Sequence, residues 1–279
     1  MGEVKLIATD LDGTFLKSDR SISEENIEAL QLLGTKHIIR VIATGRNLKK
    51  VMDVIPSDVP FDYIVFSSGA GIYDCKGKKH IYSRNISPGT SNGIIQLLVD
   101  EGINFNAFMP VPGNSYFWHH RGNKVCGEFE RYLEYNDGYA SSLPNDKNAE
   151  SGLSQFLVIF PNDESLFNKL KIKVEKLFPE VRAIRATSPL GTGYIWMELF
   201  HKDVSKGNGI AHLCEIIGVH HGQTMGIGND YNDIDLLNFT NYSYLVENAP
   251  EELKPHFENA PSNEDHAFSI IVKRLLGIS

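Results

Sequence analysis

The sequence predicts an α/β protein in which a parallel-sheet core is interrupted by an inserted α+β domain. Near the N-terminus, short apolar runs alternate with stretches of helical periodicity, the order expected for a parallel sheet with crossover helices. Around Arg84 the sequence changes to isolated strand patterns rich in aromatic residues and Asn, and strand–helix alternation returns near residue 200. We therefore predict a core of residues 1–84 and 200–279, and an α+β insert with an antiparallel sheet over residues 85–199.

The predicted core strands are short apolar runs, as expected for strands that are buried on both faces of a parallel sheet. The first precedes Asp10, and the others cover residues 38–43, 61–66, 224–227 and 244–246. Ser23 is the predicted N-cap of the first helix. Further core elements are a hairpin over residues 72–82 and helices over residues 206–217, 250–257 and 265–276.

The insert is predicted to combine two helices with several separate strands. The helical patterns cover residues 91–101 and 163–178, and the polar stretch 138–152 is expected to be a loop. The strand patterns cover residues 105–109, 115–119, 155–160, 181–186 and 194–200.

The bulk properties narrow the class of protein. A formal net charge of -8 disfavours nucleic acid and anionic membranes as partners. Cys75, Cys126 and Cys214 show no pair spacing, so neither a disulfide framework nor a zinc site is indicated. No apolar run approaches the roughly 20 residues of a spanning helix, and no signal-peptide pattern is present. We expect a cytoplasmic monomer or small homo-oligomer.

Asp10 and Asp12 follow the first apolar run and precede Gly13 and Thr14. Ligands of open α/β sheets bind beyond the carboxyl ends of the strands, where both carboxylates are expected. In an extended segment residues two apart point to the same side, so the two carboxylates are predicted to converge. Since two anions this close repel each other unless a cation lies between them, a hard metal such as Mg²⁺ is expected.

Thr44, Gly45 and Arg46 end the second predicted strand. A hydroxyl and backbone N–H groups that open a helix can bind phosphate, and Gly45 allows close approach of the backbone. Thr44 can equally be a simple N-cap, and Arg46 a surface side chain.

Two later stretches also lie where a predicted helix begins or a predicted core strand ends. Lys206 follows Ser205, a candidate helix N-cap, where a cation is unfavourable unless an anionic group lies nearby. The polar loop from Gly228 to Asp233 directly follows a predicted buried strand and could complete an oxygen-ligand Mg²⁺ site or form an ordinary Asn/Asp turn.

Taken together, these stretches resemble the motifs of the haloacid dehalogenase (HAD) superfamily. Their order, with a large insert between Ala70 and Lys206, is similar to the Cof-type branch, which has a Rossmann-like core and an α/β cap. The tail over residues 246–254 is also similar to that branch. The resemblance implies a Mg²⁺-dependent phosphatase that acts on a small phosphorylated metabolite, with sugar phosphates as the expected substrates.

The resemblance also implies the role of each motif residue. Asp10 would attack phosphorus and form an aspartyl-phosphate, Asp12 would be the acid and base, and Lys206 would neutralise the phosphoryl group. The implied phosphate-binding residues are Leu11, Thr44, Gly45, Arg46 and Asn232. The implied Mg²⁺ residues are Asp10, Asp12, Asn229 and Asp233, the last as an acceptor behind the ligands.

Two positions depart from the family pattern. Asn229 occupies the usual position of an Asp, and by position it should bind the metal through its side-chain oxygen, whereas a one-residue shift would offer Asp230 instead. A neutral Asn lowers the negative charge of the site and is expected to weaken Mg²⁺ affinity. Ser68 occupies the position of the Asn in the family's Asn-Gly-Ala motif. One contact to the substrate or to the flap is therefore expected to differ from the family pattern.

Two other functions stay open at this point. A sugar phosphomutase of the same superfamily would be identified by a requirement for a sugar 1,6-bisphosphate. A phosphosugar-binding sensor with weak catalysis is suggested by Asn229 in place of Asp.

Overall fold

The computed structural model describes residues 3–187 and 193–278, which divide into two compact units. The core unit comprises the described residues of Met1–Ser83 and Val204–Ser279, and the inserted unit comprises those of Arg84–Asp203. The second boundary follows Asp203 rather than residue 199, because the last strand of the insert continues to His201. The role of the insert as a substrate-specificity cap stays a prediction.

The N-terminal part of the core unit alternates strands and helices before it ends in a hairpin. Its elements are β1 (Leu6–Thr9), α1 (Glu24–Thr35), β2 (Ile39–Ala43), α2 (Leu48–Met52), β3 (Tyr63–Phe66), β4 (Gly71–Asp74) and β5 (Lys79–Ser83). Ser23 caps α1 as predicted, since its side chain accepts a hydrogen bond from the Asn26 N–H at 3.3 Å.

The inserted unit follows in the chain. Its elements are α3 (Pro88–Asp100), β6 (Phe105–Phe108), β7 (Phe117–His120), α4 (Gly127–Tyr135), β8 (Ala140–Ser142), β9 (Gln155–Phe160), α5 (Glu164–Leu177), β10 (Val181–Thr187) and β11 (Ile195–His201).

The chain then returns to the core unit. The remaining elements are α6 (Lys206–Ile217), β12 (Thr224–Gly228), α7 (Ile234–Phe239), β13 (Tyr242–Val246), β14 (Glu258–Ala260) and α8 (Ala267–Leu276).

The core unit is built on an eight-stranded sheet in the order β14-β13-β12-β1-β2-β3-β4-β5. The pairs from β14 to β3 are parallel, and β3-β4 and β4-β5 are antiparallel. Every residue of β1 and β12 is buried, as expected for central strands covered on both faces. One apolar layer joins the sheet to α6, with the buried residues Leu6, Ala8, Val41, Ala43, Val65, Ile210, Leu213 and Cys214.

The inserted unit has a six-stranded sheet in the order β10-β11-β9-β6-β7-β8. All neighbouring pairs are antiparallel except β7-β8, which is parallel. The predicted fold class is therefore confirmed, with this one parallel pair added.

The structure differs from the prediction at three places in the chain. Residues 250–257 contain only the short turn Lys254–His256, followed by β14, because Pro255 lacks an N–H group and disfavours a helix before it. The predicted loop 138–152 contains the short edge strand β8. Helix α4 was not predicted, although its buried Phe129 and Leu133 have helical spacing.

Among the described residues, no helix is long and apolar enough to cross a membrane.

Candidate active site

The candidate motifs lie at the carboxyl ends of four adjacent parallel strands. Asp10 follows β1, Thr44 follows β2, Ser67 follows β3 and Asn229 follows β12, and these strands are neighbours in the order β12-β1-β2-β3. This is the edge at which open α/β sheets bind ligands. The sheet topology therefore brings together residues that are up to 219 positions apart (10 to 229) in the chain.

Asp10 is fixed to the sheet by its backbone and is followed by an irregular turn. Its N–H donates to the Ile227 carbonyl at 2.8 Å, which joins the residue to β12. The next segment, Leu11–Phe15, is a short helical turn interrupted at Asp12 and at Gly13, whose φ is 71°. The extended geometry from which we predicted converging carboxylates is thus not present, and Asp12 reaches the site differently, as described below.

Lys206 is the buried centre of the site. Its side chain is 1% exposed, and Nζ donates to Asp10 Oδ1 and to Asp233 Oδ1, each at 2.6 Å. A third, longer bond of 3.3 Å joins Nζ to Asn232 Oδ1. Ser205 caps α6, since its hydroxyl accepts from the Asn208 N–H. The two carboxylates thus supply the negative charge that a cation at a helix N-terminus requires.

Burial and the opposite charges act against each other in this cluster. Desolvation raises the pKa of Asp10 to about 7, against the lowering effect of Lys206 and with a further raising effect of Asp233. Burial alone would lower the pKa of Lys206, but the Asp10 and Asp233 carboxylates outweigh it and raise that pKa. Lys206 is therefore an ammonium ion at neutral pH, and a second cation near Asp10 would favour its carboxylate form.

Asp233 does not lie where a direct metal ligand would be expected. Its Oδ1 accepts from Lys206, and its Oδ2 accepts from the N–H groups of Asn229 at 2.9 Å and Asp230 at 3.1 Å. Since both oxygens are used in this way, the contacts of Asp233 favour a role in fixing Lys206 and the loop. These are the contacts of an acceptor behind the ligands, and the place of Asp233 among the metal-binding residues stays a prediction.

Asn229 brings three oxygen atoms together. One terminal atom of its amide lies 3.2 Å from Asp10 Oδ2, 3.1 Å from the Asp12 carbonyl oxygen and 3.2 Å from Thr14 Oγ1. Asp12 therefore meets the site through its main-chain oxygen. Gly13 is required at this turn, because a Cβ there would lie 2.7 Å from an atom of the Asn229 amide.

Asp230, the alternative metal residue, is turned away from these oxygens. It is exposed, and its Oδ1 accepts from the Tyr231 N–H at 2.7 Å, which caps the short turn Tyr231–Asp233. The geometry thus favours Asn229 over Asp230 for contact with a cation beside Asp10.

The Asp12 carboxylate forms an ion pair that the sequence analysis did not predict. Arg46 Nε donates to Asp12 Oδ2 at 2.7 Å, and Nη2 donates to Oδ1 at 2.5 Å. The Asp12 side chain is 50% exposed, so this pair lies at the solvent boundary of the site. Arg46 is therefore more than an isolated surface side chain.

The loops after β2 and β3 are joined through their backbones. The Ser68 N–H donates to the Thr44 carbonyl, and the Ser67 N–H donates to the Arg46 carbonyl. Thr44 is buried, and its Oγ1 accepts from the Arg46 N–H at 3.2 Å. Gly45 is exposed. It lies near two polar side chains, since a Cβ at this position would be 3.6 Å from Ser68 Oγ and 3.9 Å from Asn232 Nδ2.

Three asparagines, which we call the asparagine clamp, hold the turn after Asp10. Asn248, Asn26 and Asn263 donate through Nδ2 to the carbonyls of Gly13, Phe15 and Leu16, respectively, at 2.8, 3.0 and 3.0 Å. These three residues were not predicted as contributors to the site. Asn248 lies in the tail that resembles the Cof-type branch, and this resemblance is the sequence feature that could have identified it.

The converging oxygens fit a Mg²⁺ ion. In the described part of the chain, no three His, Cys, Asp or Glu residues form a metal-binding group. The acceptors that do converge are a carboxylate oxygen of Asp10, the carbonyl of Asp12 and the amide of Asn229, which can present Oδ1. These are oxygen ligands, as Mg²⁺ prefers, and one of them belongs to the main chain.

Comparison with known proteins connects this geometry with a family. The family model of haloacid dehalogenase-like hydrolases matches residues 7–269. Phosphatase YwpJ of Bacillus subtilis is 23% identical, with 98% of this chain and 100% of the relative covered. The 5-amino-6-(5-phospho-D-ribitylamino)uracil phosphatase YwtE of the same organism is 25% identical, with 98% of both chains covered.

The fold has solved counterparts as well. The structure of BT1666 from Bacteroides thetaiotaomicron, a phosphatase of the HAD enzyme superfamily, aligns with a TM-score of 0.81 at 18% identity, covering 99% of this chain and 96% of that one. Because the family model spans both parts of the core unit and the whole insert, the resemblance found in the motifs is confirmed: the chain belongs to the haloacid dehalogenase-like hydrolase family and is an enzyme of the hydrolase class.

Proposed function

We propose that this protein is a Mg²⁺-dependent phosphatase that hydrolyses small phosphate monoesters through an aspartyl-phosphate on Asp10. The observation that supports this most directly is the buried Lys206, which joins Asp10 and Asp233 at 2.6 Å beside the oxygens around Asn229. A buried carboxylate with one oxygen held by a cation and the other directed to a metal site suits an attack on phosphorus.

In this proposal the two Asp10 oxygens have different tasks. Oδ1, held by Lys206, attacks phosphorus as the ester P–O bond breaks, while Oδ2 faces Asn229. Asp10, the Asp12 carbonyl and Asn229 would hold Mg²⁺. When bound, the ion neutralises charge on Asp10 and on the phosphoryl oxygens.

Asp12 would transfer the protons. Its acid form gives a proton to the leaving alkoxide, and the resulting carboxylate accepts a proton from the water that attacks the aspartyl-phosphate. Inorganic phosphate leaves and Asp10 is regenerated. For this exchange Asp12 has to leave Arg46, whose guanidinium can move to an incoming phosphate dianion.

The remaining residues would bind the phosphoryl oxygens. Thr44 can donate its hydroxyl proton to a phosphoryl oxygen, since Oγ1 is the acceptor in its hydrogen bond with the Arg46 N–H. Gly45 and Leu11 would contribute main-chain N–H groups, because Gly45 has no side chain and the Leu11 side chain is fully buried. Asn232 and Lys206 already contact each other at 3.3 Å and would share the phosphoryl charge.

Sugar phosphates are the proposed substrate class. The relative YwtE carries in its name a phosphorylated ribityl compound, which is an ester of a polyhydroxyl chain. A cytoplasmic location, the monomer or small homo-oligomer and the absence of nucleic-acid and membrane partners stay predictions.

A weakly catalytic sensor is the second candidate, favoured by the neutral Asn229 at the metal position. The test is phosphate release from a panel of sugar phosphates and nucleotides, with Mg²⁺ or EDTA, for the wild type and Asp10→Asn. We expect Mg²⁺-dependent release that Asp10→Asn abolishes and that the exposed control Asp230→Asn retains. Retained activity in Asp10→Asn would contradict the proposal, and binding without release would favour the sensor.

A further inference from the structure

The Asn229 amide is surrounded by acceptors on one side and by donors on the other. The hydrogen-bond network therefore assigns the side facing the site to Nδ2, which donates to Thr14 Oγ1 at 3.2 Å, Asp10 Oδ2 at 3.2 Å and the Asp12 carbonyl at 3.1 Å. Two of these acceptors, Asp10 Oδ2 and the Asp12 carbonyl, are oxygens that would hold Mg²⁺. An amide N–H group thus takes the position that electrostatics assigns to a cation.

The charges around Asn229 explain why a donor is favourable there. Asp10 is 4% exposed, and Asp233 is fully buried and adds negative charge close to it. Lys206 binds Oδ1 of Asp10 but not Oδ2, so the second oxygen needs another donor. Asn229 supplies that donor without adding charge. An Asp at this position would instead place a third carboxylate against Asp10 Oδ2.

The terminal amide group of Asn carries a hydrogen-bond donor, Nδ2, and an acceptor, Oδ1, whereas both oxygens of an ionised carboxylate are acceptors. With Oδ1 turned toward the site, Asn229 accepts from the Thr14 hydroxyl at 3.2 Å and presents an oxygen to a cation between Asp10 and Asp12. The two orientations exchange Oδ1 and Nδ2 by rotation about the Cβ–Cγ bond. With Oδ1 toward the site, Nδ2 faces the donors on the other side, and a cation beside Oδ1 offsets that cost. One side chain can therefore serve the site with and without a metal.

We propose that Asn229 makes the metal site self-closing: its amide holds the ligand oxygens together through Nδ2 in the Mg²⁺-free protein, and it inverts to bind Mg²⁺ through Oδ1. Binding of Mg²⁺ then has to replace the three hydrogen bonds of Nδ2. The ion also meets one negative charge fewer than it would at a site with Asp at position 229. The inference rests on the proposed function for the identity of the metal. Its consequence is a site that keeps its shape without metal and responds to the Mg²⁺ concentration.

The experiment combines calorimetric Mg²⁺ titration with thermal unfolding in EDTA for Asn229→Asp, Asn229→Ala and the wild type. For Asn229→Asp we expect Mg²⁺ binding about tenfold tighter or more, a lower Tm in EDTA, and a larger increase of Tm with Mg²⁺. For Asn229→Ala we expect a lower Tm in EDTA and weaker Mg²⁺ binding, because both faces of the amide are lost. Asn162→Asp, an exposed position in the inserted unit, adds the same charge elsewhere and should leave both measurements unchanged.

The outcomes separate this inference from the proposed function. If Asn229→Ala and Asn229→Asp are as stable in EDTA as the wild type, or if Asn229→Asp binds Mg²⁺ no more tightly, the self-closing site is refuted even when phosphate is released. If the stability and binding changes occur but no phosphate ester is hydrolysed, the inference holds and the phosphatase proposal fails.

Discussion

The two carboxylates that open the site, Asp10 and Asp12, lie two positions apart yet have opposite surroundings. The Asp10 side chain is 6% exposed and shares Lys206 with Asp233, whereas the Asp12 side chain is 50% exposed and pairs with Arg46 at the surface. Burial holds the Asp10 carboxylate in place, because separating a buried charge from Lys206 costs a large free energy. Exposure lets the second exchange partners at little cost, since solvent can replace Arg46. A nucleophile needs the first condition and a proton carrier the second.

The largest expected effect comes from breaking the buried cluster. Lys206→Met leaves two buried carboxylates without their cation, so we expect it to lower the free energy of unfolding by about 3–5 kcal/mol. Phosphate release should fall below detection. Urea unfolding measures the first quantity, and Lys49→Met is the control because Lys49 and Asp53 form an exposed pair. The control should change stability by about 0.5 kcal/mol at most.

The next effect separates catalysis from stability at the exposed pair. Asp12→Asn should lower kcat by about 10²–10⁴-fold, since the acid and base is lost. Its free energy of unfolding should change by less than about 1 kcal/mol, as for other exposed ion pairs. Arg46→Ala should share the small stability change and raise KM. A loss of stability in Asp12→Asn as large as that of Lys206→Met would mean that the two carboxylates do not differ in this way.

The last effect is the pH dependence that burial gives to Asp10. The pKa of the Asp10 carboxyl group is ordinarily 3.8, the value expected in the unfolded chain, and burial raises it to about 7 in the folded protein. The folded state therefore binds this proton more tightly. The resulting stabilisation is complete below pH 3.8 and is lost as the pH rises through about 7. In EDTA, stability relative to Asp10→Asn should therefore fall between pH 5 and pH 8, by at most about 1.4 kcal/mol per pH unit. Denaturant unfolding at both pH values checks this, and an increase of relative stability with pH would contradict it.

Much of the core was predictable because its determinants are local. An apolar run fixes a buried strand, and Ser205 before Lys206 marks the start of a helix, which begins at the predicted residue. The position of the motifs then follows, since parallel strands place their carboxyl ends at one edge. The anion expected near Lys206 is present as Asp10 and Asp233.

The remaining features depend on contacts that no local pattern encodes. The pairing of Asp12 with Arg46 requires the irregular turn after Asp10, whereas the sequence suggested an extended segment. The orientation of Asn229 depends on acceptors from residues more than 200 positions away. Helix α4 combines Phe129 and Leu133 with a short, mostly polar pattern that competes with a loop.

The asparagine clamp also sets an order of events in biosynthesis. The segment that contains Asp10 is translated well before Asn248 and Asn263, so the carbonyls of Gly13 and Leu16 find their donors only when those two residues have followed. Until then the turn lacks two of its three side-chain anchors, and its backbone stays hydrated. Since domains generally fold as units during synthesis, a nascent chain that ends before this region would hold the motif without its working shape. Competence would thus arise only after residues 248–263 have been translated and have packed against this turn.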